Sequence, residues 1–288
     1  MNFQQWIARR KELTDLVMSD FSSVDFSSMS GEGIQEQIVS TAEYFHDATQ
    51  KSGATELQAA KLFLMTEGRH VWSGYTACTD LAGLVLSISG VEIERFTNRD
   101  DDNLDGEISK QEEMNKWAVA KSIEYFVAGA QKLSKQLGRQ YWVPGDRLIL
   151  PGAGDIVLIG GSAGGGFEHV LVCKSVSSDG DMLYSVDGGQ VDEGGQCVKN
   201  CERTVKQSNG RYWLAKPPVG PAAAGGGSRG VIGHITTSSL IYDLATRGLL
   251  KNPRGRLSSF SEFAHNIFCE SSFLSHCKKN NEIFRRNI

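Results

Sequence analysis

Three residues far apart in the chain carry the types needed for nucleophilic chemistry. Cys78 lies in WSGYTACTDLAGLVLSISG, after a glycine-containing turn and at the start of an apolar run. A thiol at a helix N-terminus feels the positive end of the helix dipole and unpaired backbone N–H groups, and both favour the thiolate, the attacking form. The same N–H groups can hold the oxyanion that forms when an acyl carbon is attacked. His169 opens the run HVLVCKSV, and Asp187 ends the next one, LYSVDGGQ. Antiparallel neighbours place the start of one strand beside the end of the next. A hairpin would therefore bring Asp187 to His169, where a carboxylate can fix the tautomer of an imidazole acting as base. Singly, Cys78 reads as a small buried residue and His169 as a satisfied strand-end histidine. Together with Asp187 and the strand pattern, they favour catalysis. Cys173, inside its strand among apolar neighbours, reads as core.

A second constellation is acidic. Counting from Asp101, the side chains of Asp101, Asn103, Asp105, Ser109 and Glu112 fall at positions 1, 3, 5, 9 and 12 of a twelve-residue segment. Gly106 stands at position 6, Glu107 offers its carbonyl at position 7, and Ile108 is apolar at position 8. That is the oxygen spacing a calcium loop needs, with a glycine at the sharp turn. The segment resembles an EF-hand loop. The resemblance implies one Ca²⁺ held by Asp101, Asn103, Asp105, the Glu107 carbonyl and Glu112, with Ser109 acting through water. The competing reading is a solvated acidic turn whose Ser109 and Glu112 cap the helix that follows. EF-hand loops normally pair and no second loop is visible, so a structural rather than a sensing site is expected.

Other candidates carry less. The glycine-rich run at 160–166 leads into a strand, whereas a phosphate loop must lead into a helix; it is expected to form a flexible rim beside His169. Cys197 and Cys201 form a C-x₃-C pair open to three readings: a small disulfide, half a metal site, or two thiols in a turn. No second ligand pair follows at zinc-finger spacing, so the last is favoured. His46, His70, His234, His265 and His276 show no ligand spacing and are assigned to structure.

Elements must position these residues. Apolar residues at helical spacing predict helices over 4–21, 33–50, 56–65, 78–89 and 109–137, with a further helical stretch near 238–246. Between them the period turns to alternating or continuous, predicting strands at 155–159, 169–176, 182–186 and 211–214. Residues 217–230 are low in complexity and read as a mobile loop. Helices first and strands second predict an α+β fold with a mostly antiparallel sheet.

The order of these parts has a family likeness: a Cys opening a helix, then Gly-Asp-Ile-Val, then His-Val-Leu-Val, then an acidic residue before Gly at the next strand's end. It resembles the NlpC-type and CHAP branches of the papain-like superfamily over roughly 74–190. That resemblance implies a papain-like fold with N-terminal helices packed on an antiparallel sheet. It also implies cleavage of peptide or amide bonds, most often in cell-wall peptidoglycan. Cys78 would be the nucleophile, His169 the base and then acid, and Asp187 the orienting residue. Three features depart from the pattern. The segment 91–137, with the calcium loop and a helix, is inserted between the Cys helix and the sheet. Gly189 stands two after Asp187, where CHAP enzymes tend to carry Asn, which leaves Gln190 to assist. No evident oxyanion-assisting side chain precedes Cys78, Tyr75 being the candidate.

Composition sets the outer bounds. The chain has 288 residues, is 40% hydrophobic and 22% charged, and carries a formal net charge of −4, so no global field favours nucleic acid. No apolar run approaches the roughly 20 residues of a membrane span. The N-terminus carries charges where a signal peptide needs its apolar stretch. The expectation is a catalytic domain over 1–250 and a C-terminal tail of unassigned role over 251–288. It would be made in the cytoplasm without a signal peptide and exported by a secretion apparatus to a target cell envelope, with an immunity protein guarding the producer. An effector protease or deamidase acting on a host protein, and a non-enzymatic calcium-binding adaptor, are the rival expectations.

Overall fold

The computed structural model describes residues 12, 16–17, 21, 26–47, 77–91, 124–161, 166–192, 195–215 and 228–250. The calcium loop at 101–112, the predicted helix at 56–65, nearly all of the predicted helix at 4–21 and the tail at 251–288 lie outside them. The described elements are helices α1 (Gly31–Asp47), α2 (Ala77–Ile88), α3 (Glu124–Leu137) and α4 (Thr237–Thr246), and strands β1 (Trp142–Pro144), β2 (Ile156–Gly160), β3 (Phe167–Val176), β4 (Met182–Asp192), β5 (Gly195–Ser208), β6 (Arg211–Ala215) and β7 (Ser228–Ile235).

Each helix follows from its residues. In α1 the Ser30 hydroxyl accepts the Gly33 N–H at 3.2 Å, and Ile34, Ile38, Ala42 and Phe45 form one buried stripe. Helix α2 buries Cys78, Leu81, Ala82, Leu84, Val85, Leu86 and Ile88, so it is covered nearly all round, as its almost uniformly apolar sequence requires. Helix α3 buries Phe126, Ala130, Leu133 and Leu137 before Gly138 ends it. Helix α4 has no side-chain cap from Thr236; instead the buried Asp155 carboxylate accepts the Thr237 N–H at 3.2 Å, fastening α4 to the start of β2.

The strands pair antiparallel throughout, in the order β1-β7-β2-β3-β4-β5-β6, and β6 also pairs with β7. Strands β2 to β7 thus close into a six-stranded barrel, with β1 added outside on β7. This corrects the expectation of a papain-like α+β fold with helices packed on an open antiparallel sheet. Closure abolishes the edges that an open sheet would leave unpaired. The seam is the register Trp213↔Gly230, Leu214↔Arg229 and Ala215↔Ser228.

Strand alternation sorts the core into two parts. Val157, Ile159, Leu171, Cys173, Leu183, Val205, Leu214 and Val231 form one cluster. They come from all six barrel strands, so this cluster is the barrel interior. Ile156, Leu158, Val170, Val172, Val186, Val198 and Ile235 point the other way and join the helices in a larger core. Helix α2 lies against β3 and β4, and α1 against α2, α4 and β5. Gly233 is required where β1 meets β7, because a Cβ there would come within 2.5 Å of the Trp142 ring and the Val143 carbonyl.

Candidate functional site

Two irregularities shape the strands around His169. The β2–β3 register shifts between Ile159, opposite His169, and Gly160, opposite Phe167, so Glu168 is left over as a bulge. The β4–β5 register shifts between Asp187 and Gln190, where Gly189 takes a φ of 71° that a side chain would strain. Bulges of this kind re-aim side chains and are common beside functional sites.

His169 shares its side of β3 with Leu171 and Cys173, and Asp187 shares its side of β4 with Leu183 and Ser185, so both project from the interior face. Antiparallel pairing of β3 with β4 brings them together: His169 Nε2–H donates to Asp187 Oδ2 at 2.6 Å. Cys78, the second residue of α2, comes to the same imidazole from the helical layer and hydrogen-bonds it. With Nε2 committed to Asp187, Nδ1 is the ring nitrogen left for the thiol. All three side chains are buried: Cys78 is 7% exposed, His169 5% and Asp187 0%. Gln190 places its amide nitrogen 3.4 Å from the same Nε2. That nitrogen already donates to Asp187, so Gln190 cannot donate to it and is a neighbour rather than a partner.

The electrostatics are those of an ion pair with a counter-ion. Burial alone would lower the pKa of His169, but hydrogen bonds to Asp187 and Cys78, and their charges, outweigh it and raise the value to about 9. Both pairings favour the protonated imidazole, the form that stabilises a thiolate. Burial alone would raise Asp187, yet the Arg203 guanidinium and the His169 hydrogen bond hold its carboxyl below the usual carboxylate range.

Sequence reading did not pick out Ser185 and Arg203. Arg203 donates from Nη1 to Asp187 Oδ1 at 3.1 Å and from Nη2 to Oδ2 at 2.6 Å, while the Ser185 hydroxyl donates to Oδ1 at 2.6 Å. The signal was the spacing: Ser185 and Asp187 are two apart on β4, and Arg203 is two from Val205 on β5, each pair on one face. It could be read only once β5 was recognised as a strand.

The remaining candidates sort differently. Cys173 is fully buried in the barrel, where burial holds its thiol well above the usual range. Cys197 and Cys201 lie on β5 rather than in a turn, and neither is in a disulfide. Four residues of extended strand span about 13 Å, beyond the reach of a disulfide. Burial pushes Cys201 up to about 12. Asp101, Asn103, Asp105, Glu107 and Glu112, together with Tyr75, His70 and residues 162–165 of the glycine-rich run, lie outside the described residues. Among the described residues no group of three or more His, Cys, Asp or Glu is arranged to hold a metal ion, and no helix is long and apolar enough to cross a membrane. Comparison with family models, curated proteins and solved structures finds no match to the chain.

Proposed function

We propose that the chain is a cysteine hydrolase that cleaves an amide bond through an acyl-enzyme on Cys78, with peptidoglycan peptide as substrate. The observation that carries the reading is the buried line Cys78–His169–Asp187, an imidazole held between a thiol at a helix start and an ionised carboxylate. In the first half-reaction the Cys78 thiolate bonds to the carbonyl carbon, with first-turn N–H groups of α2 available to the oxyanion. The C–N bond then breaks, the leaving amine takes the proton of the His169 imidazolium, and a thioester remains. In the second half, neutral His169 takes a proton from water, whose oxygen attacks the thioester. The C–S bond breaks and the product leaves as a carboxylic acid that gives its remaining proton to solvent, restoring the thiolate and the imidazolium as at the start. Asp187 keeps Nε2 protonated throughout, so that Nδ1 does the proton transfers.

The substrate class rests on the order of motifs resembling the NlpC-type and CHAP families, not on the architecture of the barrel. One Ca²⁺ in the 101–112 loop, on Asp101, Asn103, Asp105, the Glu107 carbonyl and Glu112, belongs to the same proposal and is supported by the spacing of those residues.

Purified peptidoglycan incubated with the full chain, followed by mass analysis of released fragments, tests the reading. Fragments differing from the parent glycan-peptides by one water at an amide, released by the parent protein and not by Cys78→Ala, are the expected result. Intact peptidoglycan after exhaustive incubation with calcium present would remove this substrate.

A further inference from the structure

Asp187 is fully buried, and in the site described above it is surrounded by donors. Arg203 grips both carboxylate oxygens, Ser185 adds a bond to Oδ1, and His169 adds one to Oδ2. Four donors leave the carboxylate no freedom to rotate and no need of water. The guanidinium is itself only 3% exposed, in the barrel interior on the same face as Val205. Its charge completes a balance: a Cys78 thiolate, a His169 imidazolium, an Asp187 carboxylate and the Arg203 guanidinium sum to zero. Without Arg203 the same group would carry one net negative charge away from water, which is costly in an interior of low dielectric.

We propose that Arg203 is a positioning residue of the site, a fixed fourth charge that keeps Asp187 ionised and aimed at His169, so that Cys78 rests as a thiolate. Arg203 touches neither the thiol's target nor the imidazole; it acts through Asp187. Removing the guanidinium leaves a carboxylate with no exposure, which takes up a proton rather than stay charged. His169 then loses the anion that favours its protonated form, and the Cys78 thiolate loses its counter-ion. Lysine at the same position would return the charge without the two-pronged grip, since an ammonium cannot match both oxygens as a guanidinium does.

The inference rests on Cys78 being the activated nucleophile, but its test does not need turnover. The rate of Cys78 alkylation by iodoacetamide is followed against pH in the full chain, with peptide mass mapping to separate Cys78 from the five other cysteines. In the parent the reactive midpoint is expected well below the ~8.5 of an ordinary thiol. Arg203→Met is expected to raise that midpoint by about one pH unit or more, with about a tenfold loss of alkylation rate at the parent's midpoint. Arg203→Lys should return it close to the parent's. The double variant Arg203→Met with Asp187→Asn removes both buried charges, so it remains decisive even if Arg203→Met alone does not fold. Its midpoint is expected to equal that of Asp187→Asn alone, because Arg203 acts only through Asp187. A folded Arg203→Met with the parent's profile, an Arg203→Lys midpoint as high as that of an ordinary thiol, or a double variant shifted beyond Asp187→Asn would each overturn the inference. A parent whose Cys78 titrates like an ordinary thiol would instead sink the hydrolase reading itself.

Discussion

The three residues of the buried line should fail differently when replaced, because each does a different thing. Cys78→Ala is expected to abolish amide cleavage while the fold survives, since one sulfur at a helix start contributes little packing. His169→Ala should be nearly as damaging to rate, because the thiolate loses its counter-ion and the leaving amine its proton donor. Asp187→Ala removes more than an orienting group: it leaves the Arg203 guanidinium buried and unpaired. A loss of about 3–5 kcal/mol in denaturant unfolding is expected from that alone. Asp187→Asn is the gentler probe, with a fall in kcat/KM of about 10- to 10⁴-fold and a smaller loss of stability. The pH dependence follows from the same pairings. The His169 pKa is raised from 6.5 to about 9 in the folded state, so its stabilising contribution is fully present below pH 6.5 and is lost as pH rises through about 9. Asp187 is depressed, so its contribution is present above 3.8 and is lost as pH falls toward its folded value. The stability of the parent minus that of His169→Gln, taken at each pH so that other groups cancel, should decline between about 6.5 and 9. A flat difference would mean that the imidazolium is not what His169 contributes.

At the scale of elements, the joint between β2 and α4 makes a separate test. The Asp155 carboxylate accepts the N–H of Gly152 at 2.8 Å and of Thr237 at 3.2 Å, and Asp155 immediately precedes β2. Asp155→Ala is expected to cost about 1–3 kcal/mol, since two backbone donors lose a buried acceptor. Asp155→Asn should recover part of it, and amide exchange at Thr237 should report the loss locally. Legibility divided along the same lines. The runs DIVLI, HVLVCKSV and MLYSV lie in β2, β3 and β4, because buried strands announce themselves by apolar or alternating residues. Helices α2 and α4 were likewise legible in their apolar spacing. Strand β5 was not, because its interior face carries Arg203 and Cys201 and reads as polar; that polarity is the site's own. Strand β7 was not, because Gly230 and Gly233 look like breakers until their neighbours are known. Gly233 makes room for Trp142, and Gly230 lies under Arg211 and Trp213. Missing β5 and β7 meant missing closure, which no periodicity within one strand can encode.

At the scale of the molecule, the barrel presents His169, Asp187 and Arg203, and a helix from the other layer presents Cys78. The site therefore depends on how the two layers are held together. The 101–112 loop falls in the segment between α2, which carries Cys78, and α3. If it binds Ca²⁺ as proposed, the metal stabilises the native state by mass action, and calorimetry should show one Ca²⁺ taken up and a raised Tm. Glu112→Gln should lose both effects. Chelation is expected to lower activity together with stability, without calcium meeting the substrate; full activity in excess chelator, where the fold survives, would disconnect the metal from the site. Beneath these tests lies the claim that Cys78 forms a covalent bond to the acyl group during turnover. Intact-mass spectrometry of protein quenched in acid while it consumes a peptidoglycan-derived peptide reads that bond directly. The expected result is a protein heavier by the acyl fragment, mapped to Cys78 and absent from Cys78→Ala. Steady release of cleaved peptide by Cys78→Ala at the parent's rate, with no adduct on either protein, would contradict it.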